Sequence, residues 1–188
     1  MRKLSLRIMP GFFYSLAISL LLVPFPLLGG WIAATVWHEA CHYMMLRIFR
    51  LKVYAIVADF GGIRMETEHL SGLRLSLCAL AGPVGGFLLT FLLPLWPAAA
   101  LCGGIQSLYN LLPIVPLDGE KIVRGVLCRL FSDEAAMCVM KWIRIVTLLL
   151  LLIAGIVCVF RFGRFSLIVV AAFFLKIIPC KCHRLEVQ

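Results

Sequence analysis

Two histidines and one glutamate in the run His38-Glu39-Ala40-Cys41-His42 have the types and the spacing of a catalytic metal site. In a helix, residues four positions apart share a face, so both imidazoles can reach one metal ion. A zinc ion held in this way lowers the pKa of a bound water to about 7, and Glu39 is placed to accept its proton. The run therefore predicts one zinc ion per chain, with His38 and His42 as ligands and Glu39 as the general base.

This run lies within an apolar segment, residues 30–49, that has the length and composition of a membrane-spanning helix. Ionisable side chains inside such a helix are costly, so by default they mark a functional site. A chance HExxH pattern is the plain alternative, but two of only four histidines in the chain fall at this spacing. The surroundings therefore favour a metal site within the membrane.

A third ligand is needed, because catalytic zinc takes three protein ligands and keeps a fourth position open. In the run 110–119, Asn-Leu-Leu-Pro-Ile-Val-Pro-Leu-Asp-Gly, Pro113 and Pro116 break the helix. Irregular backbone at membrane depth is tolerated only where protein buries it or where it lines a polar cavity. Asp118 follows these prolines at the same end as the histidine pair, so we predict it as the third zinc ligand. The alternative is that Asp118 only caps the next helix.

Composition sets the class of the protein. The 188-residue chain is 63% hydrophobic and 14% charged, with a mean hydropathy of +1.04. Soluble domains carry about 25% charged residues, so this composition predicts an integral membrane protein, here a single domain over residues 1–188. The net charge of +9 comes from basic residues that flank apolar runs. They indicate contact with anionic lipid headgroups rather than with nucleic acid.

The apolar pattern predicts an all-α polytopic membrane protein of about six transmembrane helices, with a small membrane-surface β-hairpin after the second. A turn at Gly29-Gly30 separates the first two helices, and Gly61-Gly62 makes the hairpin turn. Residues 119–131 alternate apolar and basic residues at helical spacing, as in an interfacial helix. The predicted spans are 10–28, 30–49, 73–95, 98–112, 142–160 and a short sixth at 165–178, and the hairpin strands are 51–60 and 63–67.

Six spans would place both termini on one side of the membrane. All lysines and arginines except Arg161 and Arg164 then fall on that side. Cytoplasmic loops carry the excess of basic residues, so we expect both termini in the cytoplasm. His38 and His42 lie toward the end of an inward-running helix, and the site is therefore expected to open to the cytoplasm.

HExxH in one membrane helix, followed two helices later by N-x-x-P-x-x-P-L-D-G, resembles the site-2 protease family over about residues 10–180. Within that family the chain is most similar to the compact bacterial members typified by the sporulation factor IVB-type protease. The resemblance implies an intramembrane zinc metalloprotease with His38, His42 and Asp118 as zinc ligands and Glu39 as catalytic acid/base. It also implies that Asn110 contacts the substrate or stabilises the intermediate.

The chain also departs from the family pattern. Ala81-Gly82-Pro83 matches an AGP motif of the family, and we expect it to pack tightly against the zinc helix. Gly86 stands where asparagine is frequent, and Glu120 stands where a second glycine is frequent. We expect a catalytic core at about residues 30–119 with neither the PDZ domain nor the CBS domain that some relatives carry.

The resemblance implies regulated intramembrane proteolysis in a membrane, with a bacterial plasma membrane as the expected location. The expected partner is a membrane-embedded protein substrate, with a pro-sigma or an anti-sigma factor as candidates, and a regulatory membrane protein could gate the site. The alternatives are a membrane metal transporter or metal-binding regulator, and an inactive relative, against which the intact Glu39 argues. The hairpin could capture an extended substrate at an open strand edge, or it could have no substrate role.

Overall fold

The computed structural model describes residues 5–22, 24–59 and 62–162, which form six helices and three strands. A single 3-10 turn, Thr90–Leu92, extends the third helix. The bounds are β1 Ser5–Ile8, α1 Pro10–Leu22, α2 Phe25–Ile48, β2 Val53–Asp59, β3 Gly62–Thr67, α3 Gly72–Leu89, α4 Pro97–Asn110, α5 Asp118–Leu130 and α6 Asp133–Phe162.

The predicted turn at Gly29-Gly30 is wrong, because α2 runs through both glycines as one helix. The helix begins after Pro24, with Pro26 in its first turn, where the missing N–H of proline costs nothing. Gly30 instead lies against α4: a methyl group there would stand 2.6 Å from the carbonyl carbon of Ala98. The glycine therefore serves close helix packing rather than a turn.

Helix α3 packs against both α2 and α4 through small residues. A methyl group at Gly85 would collide with Cys41 of α2, and one at Gly86 would collide with Ser107 of α4. The indole Nε1 of Trp37 donates a hydrogen bond of 2.9 Å to the carbonyl of Gly85. These close approaches hold the histidine-bearing turn of α2 at a fixed depth against α3.

The predicted hairpin is present, with β2 antiparallel to β3 over the register Val53↔Thr67 to Asp59↔Gly62. A third strand was not predicted: β1 pairs in parallel with β2, from Ser5↔Ala55 to Ile8↔Ala58. The sheet order β1-β2-β3 gives β2 a partner on each side. The expected all-α fold therefore carries a three-stranded sheet rather than a hairpin alone.

Two helices in the described part of the chain are long and apolar enough to cross a membrane. They are α3 with its extension, Gly72–Leu92, and Asp133–Arg161 of α6, with mean hydropathies of 1.9 and 2.8. The six-span arrangement stays a prediction, and the predicted sixth span at 165–178 lies outside the described residues. Helix α5 occupies the segment predicted as an interfacial helix.

Candidate metal centre

His38 and His42 lie one turn apart on α2, and their side chains converge. Their rings are 4.7 Å apart at an interplanar angle of 82°, and their Nε2 atoms are 3.1 Å apart. His38 is buried and His42 is nearly so. The helical spacing thus delivers two imidazole nitrogens to one point, as the sequence predicts.

Asp118 reaches the same point from the first turn of α5. Its Oδ2 atom lies 3.0 Å from Nε2 of His38 and 3.0 Å from Nε2 of His42. The residue before α5 is Leu117, and no side chain caps this helix end. The structure therefore does not support the alternative in which Asp118 serves as the cap of α5, since its carboxylate faces the histidines.

The segment between α4 and α5 is tightly packed, which fixes the position of the Asp118 backbone. Ile114 and Leu117 are buried and pack with Leu148 of α6. Gly119 lies directly against the end of α4, where a methyl group would collide with the Leu111 carbonyl. Only glycine fits at this position, which explains why glycine follows Asp118.

The donor chemistry of the three side chains fits a metal cation. His42 Nδ1 lies 2.7 Å from the carbonyl oxygen of Cys78, an arrangement in which Nδ1 carries the proton and donates it. Nε2 of His42 then presents a lone pair toward the Asp118 carboxylate, which is itself an acceptor. Two imidazole nitrogens and one carboxylate oxygen, all within 4.8 Å of one another, could hold one metal ion, and this set suits zinc.

Lys121 restrains the other oxygen of Asp118. Its ammonium group lies 3.0 Å from Oδ1, one helical turn further along α5. The lysine side chain is 44% exposed, so this contact adds little stability. It nevertheless directs Oδ1 away from the histidines and leaves Oδ2 to face them.

A cavity of about 390 Å³ opens onto this group, and Glu39 lines it together with His42 and Asp118. Strand β3 contributes to the wall of the cavity, together with residues of α2, α3 and α5. The lining residues are Glu39, His42, Leu46, Ile63, Arg64, Met65, Thr67, Glu68, Leu70, Leu75, Cys78, Ala79, Asp118, Lys121 and Arg124.

Asn110 is the last residue of α4 and is half-buried. It is not among the described residues that line the cavity. Its role toward substrate stays a prediction.

Sequence reasoning missed Lys121, although its spacing of three from Asp118 on a helix was a usable signal. It also missed the Cys78 carbonyl, because a backbone group on another helix leaves no signal in the sequence.

Gly82 of α3 lies against both histidines. A methyl group there would collide with Nε2 of His42 and would stand 2.6 Å from Nε2 of His38. We expect Gly82→Ala to weaken zinc binding by at least about tenfold, a loss typical of disturbed metal-site surroundings. The measurement is chelator competition on purified protein. Gly29→Ala is the control, since a methyl group there meets nothing within 4 Å, and equal zinc affinity in both variants would contradict the prediction.

The comparisons with known proteins bear on the fold. A solved structure described as a site-2 protease from Methanocaldococcus jannaschii matches with a TM-score of 0.70. The match covers 100% of this chain and 95% of that chain at 18% sequence identity. No family model matches the sequence, and no curated protein matches it either. The expected likeness to site-2 proteases is thus confirmed in the fold, while the closer likeness to the sporulation factor IVB-type members stays a prediction.

Proposed function

We propose that this chain, which has the fold of a site-2 protease, is an intramembrane zinc metalloprotease that hydrolyses peptide bonds in or near membrane segments of its substrates. The observation that carries the proposal is the convergence of His38, His42 and Asp118 at 3.0–3.1 Å beside a cavity that Glu39 also lines. The HExxH run and the fold agree with that geometry.

Each residue has a chemical task in this proposal. His38, His42 and Asp118 would hold one zinc ion, which when bound would polarise a water and the substrate carbonyl. Glu39 accepts a proton from the attacking water and later returns it to the leaving amine. The Cys78 carbonyl orients the ring of His42, and Lys121 orients the carboxylate of Asp118.

The cavity wall suits an extended peptide. Strand β3 has β2 on one side only, so within the described sheet it is an outer strand, and it lies beside the metal centre. An extended chain can add to such an edge through main-chain hydrogen bonds. Strand β2, in contrast, is enclosed by β1 and β3, which rules it out as the open edge.

The chain lies in a bacterial plasma membrane as a multi-pass protein with both termini in the cytoplasm, and the active site opens to that side. A cleaved pro-sigma or anti-sigma factor would then be released into the cytoplasm. The apolar helices α3 and α6 support membrane insertion.

Metal removal tests the proposal directly. Detergent-purified protein is incubated with casein, an unfolded model protein that presents many extended segments. We expect cleavage that stops after treatment with a zinc chelator and returns on addition of zinc, whereas magnesium, a poor match for imidazole ligands, does not restore it. Protein that carries stoichiometric zinc and still cleaves neither casein nor co-reconstituted single-span membrane proteins would contradict the proposal.

A further inference from the structure

A buried ion pair joins α5 to α6 two residues after Asp118. Nη2 of Arg144 lies 3.0 Å from Oε1 of Glu120, and the two side chains are 14% and 7% exposed. Arg124, one turn further along α5, lies 3.8 Å from the same Oε1 atom and is 28% exposed. Arg144 is therefore the closer and more buried of the two cations.

This pair is an unexpected feature in such a chain. Burying two charges costs about as much free energy as their attraction returns, so a buried ion pair is weak evidence for added stability. Ionisable groups buried in an apolar membrane protein point to a functional role by default. The position of Glu120, separated from Asp118 only by Gly119, indicates which role to consider.

Helix α5 is held by the end of α4 at Gly119 and, at two further places, by α3 and α6. In its middle, Ser76 of α3 donates a hydrogen bond of 2.8 Å to the carbonyl of Ile122, and Gly125 lies directly against Gly72 and Ser76. In the first turn of α5, Glu120 forms an ion pair with Arg144 of α6. The first turn is also the turn that carries Asp118, and its orientation decides where Oδ2 points.

Helix α6 has few other contacts that could hold the first turn of α5. Only 11% of the most apolar stretch of α6 is buried inside the protein. Its buried Leu148 packs on Ile114 and Leu117, which precede Asp118, while Arg144 binds Glu120, which follows it. Helix α6 thus contacts the chain on both sides of the predicted ligand.

We infer that Glu120 and Arg144 are positioning residues, which hold the first turn of α5 so that Oδ2 of Asp118 stays within reach of both histidines. The inference rests on the proposed metal site. It assigns to this chain a connection between the metal centre and α6, so that a movement of α6 changes the geometry of the third ligand.

The test is zinc affinity of the full chain in detergent, measured by competition with a chromophoric chelator. We expect Arg144→Gln to weaken zinc binding by about tenfold, in the range found for residues that orient metal ligands. The charge-swapped double variant Glu120→Arg with Arg144→Glu is expected to recover part of the loss. Arg129→Gln, which removes an exposed arginine from the last turn of α5, is expected to bind zinc as the wild type does.

A structural control separates positioning from general destabilisation. Met140 is buried on α6 one turn before Arg144, and Met140→Ala removes packing volume without touching a charge. We expect this variant to melt at a lower temperature and to keep its zinc affinity. Should Arg144→Gln fail to fold, Arg144→Lys carries the test, since it keeps the charge but loses the planar guanidinium, and weaker zinc binding is again expected.

The outcomes are distinguishable from a failure of the proposed function. If the folded wild type binds no zinc, the metal site itself is wrong. If the wild type binds zinc, the inference is overturned when Arg144→Gln or Arg144→Lys binds as tightly as the wild type. It is equally overturned when Met140→Ala, at the same loss of thermal stability as Arg144→Gln, weakens zinc binding as much as Arg144→Gln does.

Discussion

Asp118→Ala is expected to remove zinc from the protein, lowering its affinity by more than about 100-fold. Loss of a residue that only orients a ligand costs about 10- to 100-fold, and the loss of a ligand itself should cost more. Asp118 supplies the oxygen that lies 3.0 Å from both histidine Nε2 atoms, so its removal leaves the two imidazoles without a carboxylate ligand at that point. His42→Ala is expected to have the same effect from the other helix.

The measurement is metal stoichiometry by mass spectrometry on detergent-purified protein. We expect about one zinc per wild-type chain, and a sharply lower value in both variants. Asp133→Ala is the control, because Asp133 also lies in the first turn of a helix but is exposed. Stoichiometric zinc in folded Asp118→Ala protein would show that the two-helix ligand set is wrong.

The sequence was sufficient to predict that His38, His42 and Asp118 lie together. Helical spacing places the histidines on one face, and the prolines before Asp118 end one helix so that the next begins there. These two rules act within a few residues. Bringing Asp118 to the histidines also required the predicted spans, which put both at the same end of the membrane, and the resemblance to the site-2 protease family. The hairpin and α5 were predictable because alternation and amphipathic spacing are local patterns.

What could not be predicted depends on partners distant in the chain. Strand β1 pairs with β2 about 50 positions later, and Ser5–Ile8 alone resembles the basic flank of a membrane helix. Gly30 could serve either a turn or close packing, and only the approach of Ala98 decides between them. The Glu120–Arg144 pair likewise joins two helices whose contact no local pattern reveals. Tertiary contacts, rather than propensity, fixed these features.

Glu39→Gln is expected to lower casein cleavage by about 100- to 10,000-fold while zinc stays bound. Glutamine keeps the shape of the side chain but accepts no proton, and Glu39 is not one of the three converging metal-binding side chains. Glu134→Gln is the matched control, because Glu134 is exposed in the first turn of α6 and is not among the described residues that line the cavity. We expect this control to retain cleavage within about threefold of the wild type, since its carboxylate lies outside the predicted proton path.

This pair of variants also separates an enzyme from a metal-binding regulator. An enzyme requires Glu39 for turnover but not for zinc, so cleavage and metal content respond differently to the same substitution. Equal cleavage by Glu39→Gln and wild type, both well above the background without protein, would remove Glu39 from the proton-transfer role. Zinc-loaded wild type that cleaves no faster than this background would instead favour a protein that binds zinc, and binds its partners beside β3, without hydrolysing them. The ratio of cleavage to bound zinc is therefore the quantity that decides between catalysis and binding.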